Sequence, residues 1–163
     1  SASPSEAFQS STLAVQTLEI SSFLRNVAAN SASVGLSDVH YLGSDDAVLV
    51  RAEEYALEDV VTHVLHNAQR YRTPGSAITL ALHSTETDAT VTIHNTGPHI
   101  SDELIEQIFD YGVSDPAESG GNGNRGQGLF VAKTYMAKMG GTIGARNDGD
   151  GVSVVLGLQR GVG

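Results

Sequence analysis

The sequence has no cysteine and carries nine lysine and arginine residues against nineteen acidic ones. Without cysteine neither disulfides nor thiolate chemistry is possible, and the redox compartment stays open. The formal net charge of −10 argues against a nucleic-acid surface, because such a surface needs a basic stripe. No apolar run has the length of a membrane span, and no basic region precedes an apolar block near the N-terminus. We therefore expect a soluble domain that contacts neither nucleic acid nor membrane.

Metal-ligating patterns are also scarce. The six histidines are scattered, and only His63 and His66 lie one helical turn apart. No HExxH motif occurs, so we expect no dedicated transition-metal site. With 163 residues, of which 40% are hydrophobic and 17% charged, the chain is predicted to form one globular domain with a substantial core.

Apolar residues at helical spacing predict helices in four places. The second helix is the strongest, because its apolar residues from Leu57 to Ala68 recur at the spacing of a single helix face. Ser101 is the predicted N-cap of the third helix, and Gly140 and Gly141 are predicted to end the fourth. The predicted helices span residues 18–29, 53–71, 101–109 and 129–139.

Period-two alternation predicts three hairpins, turned at residues 43–46, 86–88 and 148–151. Because the strands come in pairs, the expected fold is α/β: a two-layer sandwich whose mixed, mostly antiparallel sheet has its helices packed on one face. Residues 1–17, rich in Ser, Ala and Thr, are predicted to be a linker or tag remnant, and residues 18–163 the folded domain. The paired segments are residues 39–42 with 47–50, 78–82 with 90–93, and 142–146 with 152–158.

Residues 120–128 hold five glycines in nine positions and run directly into the fourth predicted helix. Glycines let a backbone adopt positive φ angles and approach a ligand closely. A helix N-terminus offers free N–H groups and the positive end of a dipole, and both suit a phosphate chain. A flexible surface loop is the alternative interpretation. Residues 110–125 lack apolar periodicity, which is typical of a functional or disordered loop.

Two common phosphate motifs do not fit this loop. Residues 121–126 match GxGxxG, but a dinucleotide site needs a strand immediately before the glycines, and a loop containing Pro116 precedes them here. A P-loop needs a lysine directly after its glycines, and none follows here. The phosphate-binding interpretation therefore depends on other segments.

Polar side chains elsewhere suit the same ligand. Asn67, Arg70 and Tyr71 share a side of the second predicted helix, so that an amide, a cation and a phenol are able to line one groove. Asn95 and Gly97 place a polar side chain beside a backbone that a ligand can approach. The alternatives are a structural hydrogen bond for a buried Asn and a simple turn at the strand end.

Four segments, matching in order and spacing, resemble the sequence boxes of the GHKL ATPase family, and of histidine kinases in particular. The resemblance covers about residue 18 to the C-terminus. The resembling segments are residues 64–71 (VLHNAQRY) for the N box, 95–100 (NTGPHI) for the G1 box, 108–110 (IFD) for the F box and 125–130 (RGQGLF) for the G2 box.

This resemblance implies the Bergerat fold, with ATP held between the helices that cover the sheet and a mobile lid of residues 110–125. Asn67 would ligate Mg²⁺, whose coordination shell phosphate oxygens complete. Asn95 would take the place of the family's adenine-reading Asp, and Gly97 would let the backbone approach the base. The implied cofactors are ATP and Mg²⁺. The implied nucleotide-binding residues are Asn67, Arg70, Tyr71, Asn95, Gly97, Ile100, Arg125, Gly126, Gln127, Gly128 and Leu129.

The sequence also departs from the family pattern. Asn95 replaces the usual Asp, although its amide oxygen is still able to accept from an adenine amino group. His63 stands where the ATPase branch has its general-base Glu, so autonomous ATP hydrolysis is not expected. His99 replaces a glycine and Val152 a Ser or Thr, and these changes bear on affinity more than on fold.

The resemblance implies the catalytic and ATP-binding domain of a two-component sensor histidine kinase. Such a domain presents the γ-phosphate to a histidine on a separate dimerisation domain of the same kinase, and a response regulator is the partner of the full-length protein. The implied location is cytoplasmic, whether or not the parent protein is anchored in the inner membrane.

The phosphoacceptor itself is not expected in this chain. None of the six histidines lies in an acidic, helical His-Glu-x-x context, so we assign no catalytic residue to the fragment. Two other hypotheses stay open. One is a degenerate nucleotide-binding domain that acts as a docking or regulatory module, and the other is a soluble serine kinase of the anti-sigma type.

Overall fold

The computed structural model describes residues 13–109 and 125–161, with the side chains of 13–109 and 129–161. Its helices are α1 (Ile20–Ala29), α2 (Glu54–Tyr71), α3 (Asp102–Gln107) and α4 (Arg125–Lys138), with a 3₁₀ turn over Ser31–Val34. Its strands are β1 (Gln16–Glu19), β2 (Val39–Leu42), β3 (Leu49–Ala52), β4 (Ile78–Ser84), β5 (Asp88–Thr96), β6 (Thr142–Asp148) and β7 (Gly151–Gln159). None of the helices in these ranges is long and apolar enough to cross a bilayer.

Strands β2, β4, β5, β7 and β6 form one sheet, in that order. β2 runs parallel to β4 and the other neighbours are antiparallel, so the sheet is mixed and mostly antiparallel, as predicted. Buried residues alternate along β5 from Ala89 to Asn95, whereas Thr90, Thr92 and His94 lie on the opposite face. The helices pack against the buried face, which confirms the predicted two-layer α/β fold.

The first predicted hairpin is wrong, although both of its strands exist. β2 pairs with β4, and β3 pairs with β1 in a separate two-stranded sheet. β3 buries Val50 and Ala52 in the core, and both are at most 1% exposed. The turn at residues 43–46 therefore does not decide the strand pairing, because β3 buries its side chains in the core by pairing with β1. The other two predicted hairpins, β4 with β5 and β6 with β7, are confirmed.

Strand β1 takes the first two residues of the helix predicted at 18–29, so α1 begins at Ile20. The strand itself was not predicted, because four residues with a mixed burial pattern carry no clear period. The predicted linker falls mostly outside the described part of the chain, which starts at Leu13.

Glu19 sets the boundary between β1 and α1. Its carboxylate accepts hydrogen bonds from the backbone N–H groups of Ser21 (2.7 Å), Ser22 (3.2 Å) and Val48 (3.0 Å). Burial acts to raise the pKa of Glu19, but the hydrogen bonds from Ser21 and Val48 outweigh it and lower the pKa to about 2. One side chain thus caps the helix and ties it to the segment before β3.

Helix α2 confirms the strongest sequence prediction. Glu53 is its N-cap, and its carboxylate accepts from the N–H of Ala56 at 2.7 Å. The stripe faces the sheet and helix α4, so this helix lies at the centre of the core. Every member of the predicted apolar stripe is buried: Leu57, Val60, Val61, Val64, Leu65 and Ala68.

Helix α4 begins at Arg125, four residues before the predicted start at residue 129. The glycines of its first turn predict a loop instead, since glycine is a poor helix former. That cost applies to the interior of a helix, and these glycines lie in its first turn. Gly140 ends the helix with a φ of 74°, and the N–H of Gly141 donates to the carbonyl of Met136 at 2.8 Å, as a glycine stop requires.

Helix α3 follows its predicted cap. The hydroxyl of Ser101 accepts from the N–H of Leu104 at 3.2 Å. Ile108 and Phe109, directly after the helix, are buried in the core. Of the long loop predicted at residues 110–125, residues 110–124 lie outside the described residues, and Arg125 belongs to α4 instead.

Candidate functional site

A pocket lies between the C-terminal half of α2, the end of β5, the start of β7 and the residues that flank α3. Its walls are mostly apolar, with a few polar side chains among them, which is the usual make-up of a small-molecule site. The lining residues are Val64, Asn67, Ala68, Tyr71, Ile93, Asn95, Ile100, Ile108, Val152 and Val154.

Helix and strand periodicity explain why these residues meet. Val64, Asn67, Ala68 and Tyr71 follow one another at the i, i+3, i+4 and i+7 positions of α2. The apolar stripe of the helix thus continues into the pocket and becomes polar at Asn67 and Tyr71. Across the sheet, Asn95 of β5 lies directly opposite Val152 of β7. The next pair on the same face, Ile93 and Val154, forms the floor of the pocket.

The space between these walls is small. It measures about 10 Å³, close to what a single water molecule needs. Ile100 and Ile108 close the pocket from the side of α3. A planar ligand the size of a purine therefore enters only if these side chains move away from the sheet.

Asn95 is the most buried polar side chain of the pocket, with 5% exposure. Its Nδ2 donates to the carbonyl of Thr96 at a long 3.4 Å, and that carbonyl already accepts from the N–H of Thr73 at 2.7 Å. No described residue donates to its Oδ1. A buried amide normally has its hydrogen bonds satisfied, so this one has capacity left for a ligand.

Asn67 is the second amide with unused capacity. It is half-buried on α2, and no side-chain hydrogen bond to it occurs within residues 13–109 and 129–161. Tyr71, one turn further, also lines the pocket. Arg70 is exposed on α2 and is not part of the lining. The structure thus brings Asn67, Tyr71, Asn95 and Ile100 together, while Arg70 lies outside the pocket wall.

Position 97 requires glycine for a reason that is independent of any ligand. A Cβ added there would collide with the backbone carbonyl of Tyr71, so only glycine lets the exit of β5 pass the end of α2. The N–H of Gly97 donates to the carbonyl of Asp150 at 3.0 Å. Gly151 is equally constrained, because its Cβ would collide with the carbonyl of Asn95.

Ile100 is positioned by a residue that the sequence analysis missed. The side chain of Asn147 accepts from the N–H of Ile100 and donates to its carbonyl, both at 2.8 Å. Asn147 lies on β6 in step with the half-buried Ile143 and Ala145. The sequence signal for Asn147 is its polar side chain at a core-facing position of a strand.

A polar network on the open face of the sheet holds the same edge from the other side. His94 Nε2 contacts Asp150 Oδ1 and His94 Nδ1 contacts the Ser153 hydroxyl, both at 2.8 Å. The hydroxyl of Ser153 donates in turn to Asp148 at 3.0 Å. The hydrogen bond with His94 holds the pKa of Asp150 below its usual value, since it stabilises the carboxylate.

These residues contain a Ser, a His and an Asp in contact, but they are not arranged as a hydrolytic triad. Ser153 is fully buried, and its single proton goes to Asp148. A fully buried hydroxyl is out of reach of a substrate, so Ser153 cannot act as a nucleophile. The network fixes the turn between β6 and β7 rather than doing chemistry.

The remaining predicted residues lie at the start of α4. Leu129 is buried in the core next to α2, with 6% exposure. Arg125, Gly126, Gln127 and Gly128 form the first turn of the helix by their backbone, and their side chains lie outside the described part. The first turn of a helix presents free N–H groups and a partial positive charge.

Residues 52–161 match the sequence profile of the histidine kinase-, DNA gyrase B- and HSP90-like ATPase family. The chain is 32% identical over 107 residues to the sensor protein SrrB of Staphylococcus aureus strain NCTC 8325 / PS 47, which covers 64% of this chain. The chain spans 18% of the length of that curated relative.

Solved structures of histidine kinases share the fold. The nucleotide-free catalytic domain of ThkA superposes with a TM-score of 0.77 at 19% identity, over 91% of this chain and 99% of that chain. Full-length ShkA, solved in complex with AMPPNP, gives 0.75 at 17% identity over 98% of this chain and 35% of that chain. ThkA in complex with the response regulator protein TrrA gives 0.70 at 19% identity over 90% and 42%. The chain therefore belongs to the histidine kinase-, DNA gyrase B- and HSP90-like ATPase family, with the α/β fold of histidine kinase catalytic domains.

Proposed function

We propose that this domain binds Mg-ATP and presents the γ-phosphate to a histidine on a separate dimerisation domain of a sensor histidine kinase. One observation carries the proposal: two amides with unused hydrogen-bonding capacity, Asn67 and Asn95, line a single apolar pocket in a chain of this ATPase family. Membership of this ATPase family indicates ATP as the ligand, and the two amides indicate where its base and its phosphates bind.

The base end of the nucleotide lies at Asn95. Apolar side chains on β5 and β7 surround that amide, and a purine ring buries its faces against such walls. Ile100 closes the other side and is held by Asn147, so the wall facing the sheet has a fixed backbone. Asn95 orients the base by a hydrogen bond at position 6 of the ring.

The phosphate end lies toward Asn67 and the first turn of α4. Mg²⁺ prefers oxygen ligands and usually takes few of them from protein, so the uncommitted amide oxygen of Asn67 fits it. Bound Mg²⁺ would neutralise phosphate charge. Arg70 and Tyr71 contact the phosphates, and residues 125–129 close on the triphosphate with the N–H groups of a helix start.

The chemistry left to this domain is positioning and charge neutralisation, which dominate phosphoryl transfer. His63 supports transfer rather than hydrolysis. Its Nδ1 lies 2.8 Å from the carbonyl of Asp59 on its own helix, so the ring is tied to the backbone. The residue carries no carboxylate to activate water, and ATP stays intact until an acceptor arrives.

The partners follow from the same assignment. The acceptor is the dimerisation domain of the parent kinase, and the response regulator receives the phosphoryl group from the full-length protein. The complex of ThkA with a response regulator and that of ShkA with AMPPNP support this choice of partner and ligand. The domain acts in the cytoplasm, where ATP is available, even if its parent is anchored in the inner membrane.

Labelled ATP tests the proposal. We expect γ-³²P-labelled Mg-ATP to leave this chain unlabelled when it is incubated alone, and to label a histidine on the parent's dimerisation domain when that domain is added. Label on this chain alone, or no label on the added domain despite bound ATP, would contradict the assignment. The Asn67→Ala variant is the matched negative, since it removes the proposed Mg²⁺ ligand.

A further inference from the structure

Asn95 is the buried polar side chain at the base end of the proposed nucleotide site. It lies on the buried face of β5, one residue before the strand ends, and only 5% of it is exposed. Its opposite partner Val152 and its same-face neighbours Ile93 and Val154 are aliphatic and carry no hydrogen-bonding side-chain atoms. No other side chain on the sheet floor of this pocket can read a polar ring substituent.

The Asn95 amide is not committed to one orientation. Its Nδ2 has only a 3.4 Å contact with the Thr96 carbonyl, which the N–H of Thr73 already occupies at 2.7 Å. Its Oδ1 accepts from no described residue. Turning the amide by half a rotation exchanges a donor for an acceptor, at the cost of this one long hydrogen bond.

A carboxylate at this position would accept hydrogen bonds and never donate them. It would pair with a 6-amino group and repel a 6-oxo group, so it would distinguish adenine from hypoxanthine or guanine. An amide pairs with either, through Oδ1 toward an amino group or through Nδ2 toward a carbonyl. No acidic side chain is among the residues that line the described pocket, so nothing else there opposes a 6-oxo oxygen.

We propose that Asn95 makes this a site for purine nucleoside triphosphates of both kinds, 6-amino and 6-oxo, rather than for ATP alone. The inference rests on the proposed function, because it concerns the base end of the same nucleotide site. Specificity here is a difference of affinities, and the repulsive element that a carboxylate would supply against 6-oxopurines is missing.

Titration calorimetry with inosine triphosphate (ITP) tests this directly, because ITP differs from ATP at position 6 and lacks the extra amino group of guanine. We expect Mg-ITP and Mg-ATP to bind the wild-type chain within about tenfold of each other. In Asn95→Asp, the preference for ATP should rise by at least about tenfold, since a buried acceptor would then face another acceptor. The thermal midpoint of the variant confirms that it is folded.

A second ligand keeps the test independent of the variant. Purine riboside triphosphate has no substituent at position 6, and we expect it to bind the wild-type chain at least about fivefold more weakly than either ATP or ITP. Equal binding of all three ligands would mean that Asn95 does not read this position and would overturn the inference.

The remaining outcomes separate the two proposals. Binding of ATP with ITP more than about tenfold weaker in the wild-type chain overturns the inference and leaves the proposed function standing. An unchanged ATP-to-ITP ratio in folded Asn95→Asp overturns it as well. Absence of binding by every nucleotide overturns the proposed function, and the inference with it.

Discussion

Asn147 holds the main chain of Ile100 by both of its polar groups, accepting from the N–H and donating to the carbonyl at 2.8 Å each. The arrangement imitates the pairing of a neighbouring strand at a place where no strand continues. It fixes one wall of the candidate nucleotide pocket to β6. The backbone of this wall is therefore held by the sheet through hydrogen bonds, although the wall itself lies in a connecting segment.

Replacing Asn147 by Ala should lower both stability and nucleotide affinity. Two hydrogen bonds are lost and the backbone of a half-buried residue is left partly unpaired, which costs about 1–3 kcal/mol in the free energy of unfolding. Chemical denaturation measures this loss, and titration with Mg-ATP measures the affinity. Arg146→Ala, one position away on the exposed face of β6, is the control and should change stability by less than about 0.5 kcal/mol. Equal effects of the two variants would contradict the positioning role of Asn147.

Gly97→Ala should destabilise the fold even without ligand. Its new Cβ would collide with the carbonyl of Tyr71, and a backbone carbonyl cannot swing aside as a flexible side chain does. A cost of about 1–3 kcal/mol is expected, since overpacking forces backbone shifts. Gly144→Ala on β6 is the matched control, because an added Cβ there meets nothing within 4 Å. If both variants unfold at the same denaturant concentration, the close approach of β5 to α2 is not a constraint.

The Glu19 carboxylate should make stability depend on pH in the acidic range. Its pKa falls from 4.5 to about 2 on folding, so its contribution is complete above pH 4.5 and is lost as pH falls toward 2. Glu19→Gln should therefore destabilise the chain at pH 7 by about 1–2 kcal/mol, the size of a helix-cap loss. The gap between variant and wild type should shrink steadily between pH 4.5 and the lowest pH at which the chain still folds. A stability difference that is constant with pH would show that the charge of Glu19 is not what stabilises α1. Glu58→Gln, at an exposed position of α2, serves as the control.

Local patterns made much of the fold predictable. The stripe from Leu57 to Ala68, the Ser101 cap and the glycine stop at the end of α4 are encoded within a few residues each, and all three are confirmed. The two confirmed hairpins likewise join neighbours in sequence. Such features need no knowledge of distant contacts.

What the sequence could not indicate depends on contacts between distant segments. The pairing of β3 with β1 instead of β2 is decided by burial of Val50 and Ala52. The clamp of Asn147 on Ile100 joins positions 47 residues apart. Within the site, the boxes brought Asn67 and Asn95 into the prediction, whereas only the structure shows that both amides are uncommitted in one pocket.

Calorimetric titration of Mg-ATP into this domain, beside its Asn67→Ala variant, tests whether the pocket is a metal-bridged nucleotide site. We expect micromolar-range binding that weakens by at least about a hundredfold in Asn67→Ala and in the presence of excess chelator. Asn26→Ala, an exposed amide on α1 outside the pocket, should bind as the wild type does. No detectable binding to the folded wild-type chain, or equal affinity in Asn67→Ala, would contradict the assignment of this pocket as a metal-bridged nucleotide site.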